Sequence, residues 1–260
     1  MQQSYQVSAL EDVVIRGITW AFIGVIFGSL FVALNEFLQG QMPPHAGLLL
    51  ATVAAAAITS LFYGSMRLTV MVANFTFVAM LVYVWQGADM LSLQPLIFVG
   101  GGVGIAVGAA YGLKDKASRV FCAEAKIIAG TVAGLLCGTL AVVMSHFWGK
   151  LPVSTIAMVV TPLGVLAYVQ MAKWFISRCH RLLPAVVDGT LVGLGVGTIT
   201  GLVFVIMAGT LDPELIESAF LRDFVQRVGE HWAITVVGCA VVCFPVGALR
   251  SLTKVPWYKL

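Results

Sequence analysis

Three histidines are the side chains of this 260-residue sequence that are best suited to binding a metal ion. His45, His146 and His231 each lie close to a connection between apolar runs, and imidazole nitrogens bind several transition metals. They come from three different connections with no ligand spacing, and no catalytic triad, phosphate-binding loop or zinc-protease motif accompanies them. We therefore predict no metal, no cofactor and no catalytic residue, with these histidines as the alternative metal ligands.

A few polar side chains lie within or beside the apolar runs, where a solute crossing a membrane would contact them. Asn74, Thr76 and Thr161 are neutral, and Asp188 stands just before a glycine-rich run. A buried amide must find a hydrogen-bond partner in hydrocarbon, so Asn74 either bridges to a neighbouring helix or contacts a solute. Asp188 either caps a helix and pairs with a nearby basic residue, or has a gating or ion-coupling role.

Two prolines, Pro162 and Pro245, also lie inside apolar runs. Proline removes a helical hydrogen bond and frees a backbone carbonyl one turn earlier. Either the two helices bend around a cavity at these points, or the bends only improve packing.

The composition indicates which class of protein carries these residues. Hydrophobic residues make up 60% of the chain and charged residues 10%, against about 45–50% and about 25% in soluble domains. So few charges cannot coat a soluble globule, which excludes a soluble enzyme, a nucleic-acid-binding protein, a disordered chain and a disulfide scaffold. We predict a single integral membrane domain over residues 1–260 that contacts the lipid bilayer and no nucleic acid.

The apolar runs predict an all-α bundle of about eight transmembrane helices. A bilayer core of about 30 Å is crossed by about 20 apolar residues in helical conformation. Consecutive spans would form four helical hairpins. The predicted spans are Gly17–Phe37, Gly47–Gly64, Leu68–Trp85, Pro95–Leu113, Ile127–Phe147, Val153–Phe175, Ala185–Gly209 and Trp232–Leu249.

The positions of the basic residues predict the orientation. One side carries three of them, Lys150, Arg222 and Arg227. The other side carries the remaining twelve, which assigns it to the cytoplasm by the positive-inside rule. Both termini would then be cytoplasmic in a multi-pass protein of the bacterial inner membrane. The twelve are Arg16, Arg67, Lys114, Lys116, Arg119, Lys126, Lys173, Arg178, Arg181, Arg250, Lys254 and Lys259.

Four glycines recur at four-residue spacing in each of two spans, which stacks them on one face of each helix. Such faces let neighbouring backbones approach closely in a membrane, where no hydrophobic force drives helices together. We predict packing within one bundle; a sliding or pore-lining surface and contact with a second chain are the alternatives. The glycines are Gly100, Gly104, Gly108 and Gly112 in the fourth span, and Gly189, Gly193, Gly197 and Gly201 in the seventh.

A weak internal repeat relates the two halves of the chain, about residues 1–125 and 126–260. Gly24 and Gly28 recur as Gly134 and Gly138. The same spacing separates each pair from a preceding basic residue. We infer a duplication whose copies enter the membrane from the same side.

Residues 212–230 predict an amphipathic helix on the outer face. Asp212 and Pro213 are typical of a helix start, and apolar residues from Leu215 to Val228 then recur at helical spacing. The helix would cover the bundle, or serve as a lid or a docking surface for a partner.

Two functions fit this sequence, and neither is catalytic. The first is a small permease or channel for an uncharged or weakly charged solute. Its motivation is the duplication, the prolines and the glycine faces. The alternative is a non-catalytic membrane subunit or anchor, which the absence of ionisable groups at mid-membrane favours. A membrane-embedded enzyme is less favoured, because it too would need ionisable groups at mid-membrane.

Overall fold

The computed structural model describes residues 9–63, 65–87, 93–114, 122–149, 151–178, 180 and 182–251. Within these residues the secondary structure is entirely helical. The helices are α1 Ala9–Gln39, α2 Pro44–Tyr63, α3 Met66–Trp85, α4 Leu93–Lys114, α5 Ala123–Phe147, α6 Val153–Arg178, α7 Ala185–Leu211 and α8 Ala219–Ser251, with a 3₁₀ turn at Pro213–Leu215 before α8.

All eight α-helices of the described part are long and apolar enough to cross a membrane. The predictions of an all-helical fold and of eight helices of spanning length are therefore confirmed for these residues, and they fit a polytopic membrane protein. Much of the outer surface is apolar, which suits contact with a lipid bilayer. We call the end where α1, α3, α5 and α7 begin the first face, and the opposite end the second face.

The structure differs from the prediction of a separate amphipathic helix over residues 212–230. Residues 212–230 do not form a separate helix, because α8 runs without interruption from Ala219 to Ser251 and includes the eighth span. No proline interrupts residues 219–244, and Gly229 packs against the Thr210 side chain instead of ending the helix. Phe224 and Val228 are buried against the bundle, whereas Phe220 is exposed.

The closest helix approach joins α4 to α7. A Cβ atom built on Gly104 would lie less than 3.0 Å from the backbone of Gly193, and one on Gly108 equally close to the backbone of Gly189. A side chain at either position would force the two backbones apart, because real Cβ atoms essentially never make such contacts. The α4–α7 contact is the most extensive between any two helices described.

Two further pairs of helices approach each other closely at glycines. In α1, Gly24 lies against the backbone of Cys239 in α8, and the Trp232 indole of α8 donates a hydrogen bond to Ser29 Oγ at 3.2 Å. In α5, Gly134 lies against the backbone of Val53 in α2. All three close pairs join helices that are distant in the sequence.

Two charged residues lie deeper than the sequence suggests. Lys126, expected in a connection, is the fourth residue of α5 and is only 1% exposed, because Ala123–Ala125 extend the helix by a turn before the apolar run. Asp188 is fully buried, and it does not cap α7, whose N-cap residue is Pro184. Of the basic residues used for the orientation, Lys116, Arg119, Lys150, Arg181, Lys254 and Lys259 lie outside the described residues.

Candidate functional site

A partly open cavity lies between α1, α2, α5 and α6, and it contains about 440 Å³ of atom-free space, part of which is open to the surroundings. Only about 30 Å³ of that space can hold the centre of a water molecule, which is room for about two waters. The lining is mostly apolar with a few hydroxyl groups: Ile23, Phe27, Ala56, Thr59, Ser60, Tyr63, Gly130, Ala133, Cys137, Val160, Thr161, Gly164, Val165 and Tyr168.

Helical spacing brings the polar lining residues to one place. Thr59, Ser60 and Tyr63 follow one another within a turn of α2, and Thr161 and Tyr168 lie seven residues apart on one face of α6. All five are therefore presented to the space between the two helices. Both helices form because the α2 and α6 segments are otherwise continuous apolar runs.

Most of these hydroxyl groups have partners within the protein. Ser60 Oγ donates to the backbone oxygen of Lys126 at 2.8 Å, and Tyr168 donates to the backbone oxygen of Ser60 at 3.1 Å. Thr161 Oγ1 donates to the Ala157 carbonyl. These bonds tie α2 to α5 and α6 around the cavity.

Thr59 is different, because its buried Oγ1 has no hydrogen-bond partner among the described residues. A buried hydroxyl without a partner is unfavourable. A water molecule or a polar solute in the cavity would supply that bond, so Thr59 is the best candidate for a contact with a small polar molecule.

Two glycines and a proline shape the walls of the cavity. A Cβ atom on Gly164 would meet only Cys137 Sγ, at 3.4 Å, so the wall is open at this position. Gly130 lets Ser60 approach α5 closely. Pro162 follows Thr161 inside α6 and has no N–H, so the Met158 carbonyl lacks its usual helical partner.

Aromatic side chains flank the cavity on both sides. Towards the first face, the Tyr63 ring contacts the rings of Tyr168 and Trp20, at centroid distances of 5.4 and 6.5 Å. Towards the second face, the Phe27 and Phe31 rings are stacked at 5.8 Å. The cavity thus lies between two layers of aromatic side chains.

The predicted site residues do not come together. Thr161 lines the cavity with Pro162 beside it, whereas Asn74 is exposed on the outer surface of α3. Thr76 is fully buried in α3, away from the cavity lining. Asp188 is not in the cavity lining either, and Pro245 is exposed on α8.

The histidines do not converge. The rings of His45 and His146 lie 6.1 Å apart, but His231 belongs to α8, close enough to Glu36 of α1 for an electrostatic interaction. Among the residues that the structure describes, no group of three His, Cys, Asp or Glu side chains is placed to hold a metal ion. The alternative of a site built from all three histidines is therefore wrong.

Sequence reasoning missed Thr59, Ser60 and Tyr168. The first two are neighbouring hydroxyl residues in an otherwise apolar run, and this was the available signal. Tyr168 gave no such signal, because tyrosine is common at the membrane interface and its partner Ser60 lies 108 residues away.

Removing the Tyr168 hydroxyl tests the bond between α6 and α2. We expect Tyr168→Phe to lower the free energy of unfolding by about 1 kcal/mol, because a buried hydrogen bond is lost. Tyr83→Phe is the matched control, since the Tyr83 hydroxyl makes no hydrogen bond to a described residue. Thermal unfolding in detergent measures both, and equal shifts would contradict the bond.

The chain matches no protein-family model, and neither the curated proteins nor the solved structures contain a significant match to it.

Proposed function

We propose that this protein is a small permease or channel for an uncharged or weakly charged solute, and that the solute passes between α1, α2, α5 and α6. The observation that carries the proposal is the cavity between these helices, which has a threonine hydroxyl without a hydrogen-bond partner, that of Thr59, in its wall. A membrane protein that only filled space would be expected to pack this region closely.

The lining chemistry limits the solute. The cavity wall has hydroxyl groups and apolar side chains but no charged side chain, so it offers hydrogen bonds and no compensation for an ion. Thr59 and Thr161 are the proposed contacts. Asn74, Thr76 and Asp188 lie outside this path.

The proposed cycle needs the cavity to open. With room for about two waters, this conformation is the closed one, and the rings of Tyr63 and Phe27 are the barriers on its two sides. The Pro162 position, where α6 lacks a helical hydrogen bond, is the proposed bending point.

Filling the cavity tests the function. We expect Gly164→Leu to abolish solute permeability without unfolding the protein, because the new side chain enters the open space next to Cys137. Purified protein in liposomes is mixed rapidly with urea, glycerol or formamide, and light scattering records the volume change. The wild type should exceed empty liposomes for at least one solute, and Gly164→Leu should match empty liposomes.

Gly102→Leu is the control for this experiment. Gly102 is exposed, with nothing within 4 Å of an added Cβ atom, so the same substitution there leaves the cavity unchanged. Its permeability should equal that of the wild type. A wild type indistinguishable from empty liposomes for every solute, or an unaffected Gly164→Leu variant, would contradict the proposal.

The second candidate function is the non-catalytic subunit or anchor. Phe220 favours it, because this side chain is 66% exposed at the start of α8, where a partner protein could cover it. Gentle purification would then recover a stoichiometric partner that Phe220→Ser releases.

The finer architecture is also part of this proposal. We infer that the glycine faces of α4 and α7 act as packing surfaces. The proposed duplication of residues 1–125 and 126–260, as four hairpins, is supported by Gly24 and Gly134, which both lie at close helix contacts. A bacterial inner membrane with cytoplasmic termini stays a prediction, which reporter fusions at the termini would test.

A further inference from the structure

Asn74 occupies an unusual position for an amide. It lies near the middle of α3, about 12 Å along the helix from Met66 and about 16 Å from Trp85. Its side chain is exposed on the outer surface and makes no hydrogen bond to any described residue. In a bilayer with a core of about 30 Å, this amide faces the hydrocarbon.

Other exposed polar residues at comparable depth avoid this problem. The hydroxyl groups of Thr131 and Thr139 on α5 donate to the carbonyl groups one turn earlier, Ile127 and Leu135, each at 2.8 Å. An asparagine amide has two donor hydrogens and a carbonyl oxygen, and α3 leaves them without partners. Amides in hydrocarbon favour contact with another helix, where they form interhelical hydrogen bonds.

We propose that α3 is the interface of a homodimer, in which Asn74 of one subunit hydrogen-bonds to Asn74 of the other. The amide group is self-complementary, since each side chain donates an N–H to the other's carbonyl oxygen. Two copies with the same orientation about an axis normal to the membrane place identical residues at the same depth. A second copy therefore always supplies the matching amide at the right height.

The rest of the α3 surface is suited to this contact. The helix packs mainly against α4 and α7, which leaves its other side uncovered. Val70, Met71, Val78 and Leu81 are exposed there at helical spacing around Asn74. Arg67 lies two turns below Asn74 on the same side, and helices that cross at Asn74 diverge enough to keep the two Arg67 charges apart.

The dimer is tested with full-length protein in liposomes over a series of protein-to-lipid ratios. Single-molecule photobleaching counts the subunits in each particle. We expect dimers for the wild type, about tenfold weaker association for Asn74→Leu, and near-normal association for Asn74→Gln, which keeps the amide. Thr139→Val is the matched control and should associate normally, because the Thr139 hydroxyl is satisfied within its own helix.

Cross-linking gives a second measurement, and it keeps Asn74 in place. The four cysteines of the described residues are buried, and Cys179, outside them, is first replaced by serine. Val78→Cys, exposed one turn from Asn74 on the same face of α3, should then oxidise to a disulfide-linked dimer in membranes. Val237→Cys, exposed on α8, should not.

Three results would overturn the proposal. They are a monomeric wild type, a dimer as strong in Asn74→Leu as in the wild type, and a different protein cross-linked at position 78. Permeability measured on the same samples separates this proposal from the proposed function, because the cavity lies within one subunit.

Discussion

Gly104→Val is expected to lower the free energy of unfolding by about 3 kcal/mol. The added side chain would meet the carbonyl oxygen of Gly193, which belongs to the backbone of α7 and cannot rotate away. This clash can be removed only if the two helices move apart, which would also loosen the neighbouring contact of Gly108 with Gly189. The loss is large because it removes close packing along much of the α4–α7 contact.

Gly102→Val provides the control for the α4–α7 contact. Gly102 is in the same helix, two residues before Gly104, and an added Cβ atom there meets nothing within 4 Å. The two variants share the same change in helix propensity, so the difference between them reports packing alone. Unfolding in mixed micelles of detergent and SDS measures it, and similar stabilities would disprove the close approach.

Asp188→Leu is expected to cost about 3–5 kcal/mol of stability. Asp188 is fully buried near the start of α7 and interacts with another group of the protein. Burying a carboxylate is tolerated when the charge is compensated, and its removal leaves the surrounding polar groups without that compensation. Asp188→Asn keeps the shape and removes the charge, and it should show most of the same loss.

Asp223→Leu is the corresponding change at the surface. Asp223 forms an ion pair with Arg227 in the first part of α8, and its side chain is 64% exposed. Exposed ion pairs contribute at most about 1 kcal/mol. Thermal unfolding of both variants in one detergent makes the comparison, and equal losses would show that Asp188 has no special structural role.

The number of helices could be predicted because each span is an apolar run of sufficient length. The packing of those helices could not. In water, a helix shows its buried side as an apolar stripe, but a helix in lipid is apolar on all sides. The sequence therefore gave no sign that Thr76 points inwards and Asn74 outwards, although they are two residues apart.

The cavity was predictable only in part, for a related reason. Thr161 and Pro162 were identified because a polar residue and a proline are conspicuous inside an apolar run. Their neighbours across the cavity, such as Thr59 and Gly130, come from helices whose proximity no local pattern reveals. Lys126 was misplaced because the helix begins a turn before its apolar part.

The pairing of α1 with α8 has a consequence for how the protein is made. Helices enter the membrane in the order of synthesis, so six other helices follow α1 before α8, with which α1 makes its most extensive contact. Until then Gly24 lacks its contact with the backbone of Cys239. The bundle is therefore completed late, when α8 docks, and a nascent chain halted before that point lacks the most extensive contact of α1.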